Sequence, residues 1–179
     1  MTVAIKGASW DVEVREQNLD EMFWMVDRIR GSRSVLEIGS RNGATLQVLA
    51  CACQYGAKIR SIDIERYDEL EAAISKLQEA GFDAERLTAD STSQEAIKWA
   101  QDNGPYDFVF IDGDHTYEGV KADWENYGPM GKCVGFHDIA NLLLGVPALW
   151  AEIKKTYRTD EISAPTCDMG IGIVEKETV

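Results

Sequence analysis

The run Tyr106-Asp107-Phe108-Val109-Phe110-Ile111-Asp112-Gly113-Asp114-His115-Thr116-Tyr117-Glu118-Gly119-Val120 decides the fold. Phe108 to Ile111 is the most apolar short stretch of its kind in the chain. It has the length of a strand buried on both faces. It gives way at once to the polar tip Asp112, Gly113, Asp114 and His115, and helical spacing then takes over through Val120, Trp124 and Tyr127. A buried strand, a polar tip and a following helix form the repeating unit of a parallel α/β sheet.

The same unit recurs on either side. Upstream, Asn18 is an N-cap with Glu21 three residues on, and the apolar stripe Leu19, Met22, Phe23, Val26 and Ile29 predicts a helix that Gly31 stops. A strand at Val35 to Ile38, a helix from about Ala44 to Tyr55 and a second strand through Ile59, Ile62 and Ile64 follow. The next helix carries Leu70, Ala73, Ile74 and Leu77 and ends at Gly81, where glycine tolerates the left-handed conformation. A third strand is expected near Ala84 to Ala89, and Ser91 with Gln94 reads as a capping box for a helix on Ile97 and Ala100 that Gly104-Pro105 closes. Downstream come a fifth strand at Cys133 to Phe136 and a helix led by Pro147 on Val146, Leu149, Trp150, Ile153 and Tyr157. Glu161 to Ala164 and Gly170 to Val174 read as a strand pair. The loop Pro165 to Met169 is too short for a crossover helix, so an antiparallel edge is expected.

A chain of 179 residues fits one domain, with 1–17 as an N-terminal segment able to act as a lid and 18–179 as the core. The net charge of −13 argues against partners that are polyanions or anionic membranes, which clustered Lys and Arg would bind. A small molecule that is neutral or cationic, or another protein, suits it better, and homo-oligomer formation is compatible with it. The longest apolar run, Ala140 to Trp150, is interrupted by Asn141, Gly145 and Pro147 and is too short to span a bilayer. Met1 to Trp10 lacks the apolar region of a signal peptide, so a cytoplasmic location is expected. Cys51, Cys53, Cys133 and Cys167 show no zinc-binding spacing and read as buried reduced thiols.

In an open α/β sheet ligands bind beyond the carboxyl ends of the strands, and here those ends are polar. They comprise Gly39 to Gly43, Asp63 to Glu65, Asp90-Ser91, Asp112 to His115 and His137-Asp138. Glu37-Ile38-Gly39-Ser40-Arg41-Asn42-Gly43 sets two glycines around a strand-to-helix turn, which lets a ligand approach the backbone or simply answers a tight turn. Asp63 stands where a carboxylate accepts both hydroxyls of a ribose. The chain's two histidines, His115 and His137, both adjoin these aspartates, where a base near neutrality is useful.

These residues, with Gly135-Phe136-His137-Asp138-Ile139 and Met169-Gly170-Ile171-Gly172-Ile173, make the chain resemble a class I S-adenosyl-L-methionine-dependent methyltransferase from Asn18 to Val174. The resemblance is strongest to the branch of small-molecule O-methyltransferases and cephalosporin hydroxylase-like proteins. It implies a Rossmann-like doubly wound α/β sheet, mostly parallel, of seven strands in the order 3-2-1-4-5-7-6, with one antiparallel strand near the edge and helices on both faces. It also implies methyl transfer to a hydroxyl oxygen. Glu37 and Gly39, with Ser40 and Gly43 of the same turn, would hold the methionine end of the cofactor. Asp63 and Ile64 would hold the ribose region, Asp90 and Ser91 the adenine edge, and Asp112 completes that set. Asp112 and Asp138, with His137 in the place of an oxygen donor, match the positions that hold Mg²⁺ or another divalent cation in metal-dependent relatives.

Asp114 and His115, beside Asp112, are the candidate catalytic groups. Plainer uses stay open: Asp112 as a helix cap and Asp138 as a loop anchor. Asn141 is a further candidate oxygen donor. Tyr117, Trp124 and Trp150 fall on helical stripes and read as core, whereas Trp10 lies outside any pattern and is a candidate cover for the site. A nicotinamide-dependent oxidoreductase is disfavoured because Arg41 and Asn42 break the required glycine spacing. A protein that binds the cofactor without turnover is the remaining alternative.

Overall fold

The computed structural model describes residues 2–5, 8–11, 18–163 and 168–176, the first two segments by their backbone. The central sheet contains β3 (Ser34–Ile38), β4 (Lys58–Asp63), β5 (Asp83–Thr88), β6 (Tyr106–Ile111), β7 (Gly131–His137), β8 (Arg158–Ile162) and β9 (Ile171–Glu175), in the order β5-β4-β3-β6-β7-β9-β8. Counted from β3, this is the expected 3-2-1-4-5-7-6. β3 through β7 pair in parallel, and β9 runs antiparallel to both β7 and β8.

Side chains alternate across each strand, so the sheet separates two cores. Val35, Ile59, Phe108 and Phe110 meet α1 (Leu19–Arg28), α2 (Ala44–Ala52) and α3 (Asp68–Glu79). Leu36, Ile38, Val109 and Ile111 meet α4 (Gln94–Asn103), α5 (Tyr117–Tyr127) and α6 (Val146–Ile153). Phe108, Val109 and Phe110 have no exposed surface. Burying each such side chain contributes about 1.5 to 3 kcal/mol, which is why this run organises the molecule. Trp150 is buried as expected, and a Cβ on Gly172 would lie 2.5 Å from its ring.

Several local readings need correction. β1 (Thr2–Ile5) and β2 (Ala8–Asp11) pair antiparallel as a hairpin, and the backbone of β1 lies against α2. The side chain of Trp10 and the residues 164–167, including Cys167, fall outside the described residues. Asn18 caps α1 as expected, its Oδ1 accepting from Asp20 and Glu21 N–H. The helix, however, buries Glu21, Met22 and Met25 and leaves Phe23 57% exposed, because its contact with α2 is centred one residue off the expected stripe. Helix α2 stops at Ala52, where Cys53 turns extended, and Cys51 is exposed. Helix α4 is capped by Ser93, which accepts from Ala96 N–H, and not by Ser91. An Asx turn from Asp90 to Thr92 occupies the residues between. Helix α6 ends at Ile153 and leaves Tyr157 exposed, and β8 starts three residues before the expected strand.

Candidate functional site

Because β3 to β7 are parallel and in register, their carboxyl ends open on one edge of the sheet. The strand order reverses between β3 and β6, which parts the loops there and creates the crevice used by open α/β sheets.

Glu37 lies at the end of β3 with no exposed surface, and neither carboxylate oxygen meets a hydrogen-bond partner. Burial pushes its carboxyl up to about 8; Ser40 pulls the other way, and the charges of Asp112 and Asp63 add to the rise. A buried carboxyl of this kind either keeps its proton or pairs with a cation. Ser40 is buried and accepts from Ser61 Oγ at 2.7 Å. Gly39 has φ +84°, and a Cβ there would fall 2.2 Å from the carbonyl oxygen of Asp112. This glycine is therefore required by the approach of one loop to the next, before any ligand is considered. Gly43 answers to packing as well, since a Cβ there would lie 2.8 Å from that of Ala73 in α3.

Asp63, 7% exposed, accepts from Arg41 N–H at 2.7 Å and Glu65 N–H at 2.9 Å. It thereby holds the β3 turn, in which Arg41 adopts φ +44°, against the end of β4. Each oxygen keeps a second lone pair for a ligand hydroxyl. Ile64 beside it is 68% exposed, an apolar surface at the rim. Asp90 is exposed and accepts from the N–H and hydroxyl of Thr92, while the Ser91 carbonyl accepts from Tyr127 Oη.

Beneath Ser91 lies a group that sequence reading missed. Asp123 of α5 has no exposed surface, its two oxygens lack hydrogen-bond partners, and burial holds its carboxyl up at about 6 against the pull of Ser91. Its signal was present, because it interrupts the buried face of a helix between Val120 and Tyr127.

On the other side of the crevice two carboxylates and two imidazoles share one cluster. His137 Nδ1 lies 3.2 Å from both Asp112 Oδ1 and Asp138 Oδ2. His115 straddles the same oxygens, with Nε2 at 3.3 Å from Asp112 and Nδ1 at 3.5 Å from Asp138. Asp138 is held at φ +60°, a conformation disfavoured for a residue with a Cβ and commonest where function demands it. Burial by itself would raise Asp112, but the two imidazoles outweigh it and bring the carboxyl down to about 2. Burial alone would likewise lower His137, yet Asp112 and Asp138 lift it to about 10. His115 is raised chiefly by its hydrogen bond to Asp112. Asp112, His115 and Asp138 can each bring a ligand atom within 4.8 Å of the others.

His137 is 4% exposed and His115 37%, so only the latter opens toward solvent. A cleft of about 490 Å³ lies there, lined by Gly113 to Thr116 and Leu143 to Gly145. Asp114 lines it too, but its Oδ1 accepts from Thr116 N–H and its carboxyl lies over Gly119. Thr116 caps α5 through Gly119 N–H, and Gly145 N–H donates to the His115 carbonyl at 2.8 Å. The 141–145 loop thus braces the histidine, while Asn141 accepts from Leu143 N–H within its own turn. The structure therefore gathers Asp112, Asp138, His137 and His115, while Asp114 and Asn141 each accept a backbone N–H within their own turn.

Comparison with known proteins finds similar chains. The chain is 25% identical over 109 residues to a caffeoyl-CoA O-methyltransferase of Medicago sativa, a match covering 59% of the chain and 44% of that relative. An O-methyltransferase from Bacillus cereus, solved in complex with SAH, superimposes with a TM-score of 0.70 at 16% identity, over 92% of this chain and 84% of that one. The MycE methyltransferase of the mycinamycin biosynthetic pathway, solved with Mg, SAH and mycinamycin VI, gives a TM-score of 0.56 at 17% identity, over 80% of this chain and 44% of that one. The sequence matches the methyltransferase domain family over residues 36–139, which contain Glu37, Asp63, Asp112, His115, His137 and Asp138. With more than half its length in that match, the chain belongs to the methyltransferase domain family.

Proposed function

We propose that the protein transfers a methyl group from S-adenosyl-L-methionine to a hydroxyl oxygen of a small-molecule acceptor. The observation that carries this reading is Glu37, a wholly buried carboxyl with no hydrogen-bond partner, set below the turn between β3 and α2. The ammonium of the cofactor's methionine is a cation of the size and hydrogen-bonding capacity that such a group lacks. Asp63 has lone pairs left for the ribose hydroxyls, and exposed Ile64 offers an apolar edge for the base. Asp90 and Ser91 stand at the tip of the neighbouring strand, on the adenine side. The Bacillus cereus relative is solved with the demethylated cofactor, which supports the same assignment.

When bound, the cofactor supplies an electrophilic methyl carbon on a sulfonium, transferred by in-line displacement. The residues of this chain align the acceptor and accept its proton. His115 is the base: it lines the cleft, Asp112 faces its Nε2 at 3.3 Å and stabilises the imidazolium, and Nδ1, the looser contact at 3.5 Å from Asp138, turns to take the hydroxyl proton. Holding donor and acceptor near attack distance contributes about 7 to 11 kcal/mol of rate acceleration in such sites. Asp112, His115 and Asp138 also fit a divalent cation, and the MycE neighbour is solved with Mg. A cation there would lower the pKa of a coordinated hydroxyl.

The test is a thermal shift with S-adenosylhomocysteine against NAD, followed by transfer of labelled methyl to a panel of hydroxyl acceptors. Stabilisation by the former alone, and transfer lost in His115→Ala with binding retained, is expected. Stabilisation without transfer across the panel would leave a cofactor-binding protein, and stabilisation by NAD would reverse the assignment.

A further inference from the structure

The cleft beside His115 has a wall that the proton transfer does not use. Leu143, Leu144 and Gly145 line it together with Gly113 to Thr116. Leu143 is 95% exposed, yet its loop is tied down. Its N–H donates to Asn141 Oδ1 at 3.2 Å, Leu144 N–H donates to the Asn141 carbonyl at 3.0 Å, and Gly145 N–H donates to the His115 carbonyl. A Cβ on Gly145 would fall 2.0 Å from the backbone nitrogen of Tyr117, so the loop is seated directly on the start of α5. A loop held at these points keeps its leucines in water, which costs free energy until an apolar surface covers them. A scattered exposed leucine needs no explanation, but this one shares a cleft with the proposed base. The cleft measures about 490 Å³, within the range of small-molecule sites, about 300 to 1,000 Å³.

The charge of the lining narrows what can cover the leucines. The described lining residues include the carboxylate of Asp114 and no Lys or Arg, and the His115 imidazole lies against Asp112 and Asp138. An anionic acceptor would bring its charge to a like-charged wall with no cation to receive it. Phosphates fare worst, because they are held by Lys, Arg or a run of free backbone N–H groups. Here the N–H groups of Thr116, Leu143, Leu144 and Gly145 already donate within the protein.

We infer that the acceptor is an uncharged hydroxy compound whose apolar body lies on Leu143 and Leu144, and that this wall rejects carboxylate-bearing and coenzyme A-linked acceptors. The inference rests on the methyl-transfer reading for the fate of the hydroxyl, whereas the class of molecule held in the cleft is read by binding alone.

The probes are the methyl ester, the free acid and the coenzyme A thioester of one dihydroxycinnamic acid. They present the same hydroxyl-bearing ring with no charge, with a carboxylate and with phosphates. Each is titrated by calorimetry into the full chain saturated with S-adenosylhomocysteine. The ester is expected to bind at least about tenfold more tightly than the acid, and the thioester most weakly of the three. Leu143→Ser should weaken the ester by about fivefold or more. Leu143→Lys should bring the acid up about tenfold, to the level of the ester, by supplying the missing cation. Leu142→Ser, at a side chain that is 88% exposed and does not line the cleft, should change neither. Retained stabilisation by S-adenosylhomocysteine reports that each variant is folded. Failure of the ester to bind, an acid or thioester as tight as the ester, or equal losses in Leu142→Ser and Leu143→Ser would each overturn the inference. So would a dimer in sedimentation that Leu143→Ser dissociates, which would give the leucines to a second copy of the chain. Should S-adenosylhomocysteine fail to stabilise the wild type, the methyl-transfer reading falls, while the same titrations without it still decide which class of molecule the cleft takes.

Discussion

Glu37 shows how a single residue ties stability to function. Its carboxyl is raised to about 8 in the folded chain because burial disfavours the charge, whereas in the unfolded chain it titrates near its ordinary value of 4.5. Between those values the folded state holds the extra proton, so the stabilising contribution is complete below the lower one and is lost as pH rises through the upper. For the ligand-free protein this amounts to a loss of roughly 3 kcal/mol by pH 7. Urea midpoints measured from pH 5 to pH 8 should fall, and Glu37→Gln should remove Glu37's share of that slope while leaving the shares of Asp123, raised to about 6, and His137, raised to about 10; saturating cofactor should act on the Glu37 share in the same way by supplying a cation. A slope unchanged in Glu37→Gln would show that the carboxyl is not buried as described. At this scale the sequence placed Glu37, Asp63, Asp112 and Asp138 at strand ends, and the structure sets them at the ends of β3, β4, β6 and β7. Nothing along the chain showed that Asp63 and Asp114 also hold backbone N–H groups, since those partners depend on loop conformation.

Among the elements, the strand-to-helix junctions matter most, because each fixes a backbone and a site residue together. Thr116 caps α5 one residue after His115. Thr116→Ala should cost about 1 kcal/mol and lower the melting temperature by about 2 to 4 °C. It should reduce methyl transfer more than affinity for S-adenosylhomocysteine, because the base is displaced and the cofactor half is not. Equal losses in both would place His115 outside the reaction. Gly39→Ala is a harsher change, combining a left-handed φ with an overlap against the Asp112 carbonyl. We expect it to destabilise by about 3 kcal/mol or more, read from urea unfolding. Element identity was legible from periodicity, but boundaries slipped where local hydrogen bonds compete with the helix. The Asx turn at Asp90 that delays α4 to Ser93 is one case. The N-terminal hairpin is another, because strands as short as Thr2–Ile5 and Ala8–Asp11 give too little alternation to stand out.

Across the whole molecule, a net charge of −13 sets a general repulsion that compaction must overcome. Raising ionic strength from low to physiological values should therefore raise the urea midpoint, and a fall would show that specific ion pairs such as Arg60–Asp83 outweigh the repulsion. The two cores and the edge on which the polar tips open were determined by the sequence itself, and the sheet order was what its resemblance to the methyltransferases implied. A run such as Phe108 to Ile111 is stable only between two layers of helices, and parallel strands put all their carboxyl ends on one side. Only the tertiary structure decided that both histidines meet the same pair of carboxylate oxygens, and that Asp123 is sealed beneath Ser91. Those contacts join residues from different strands and helices, and their spacing depends on side-chain packing and loop bracing that no periodicity along the chain records.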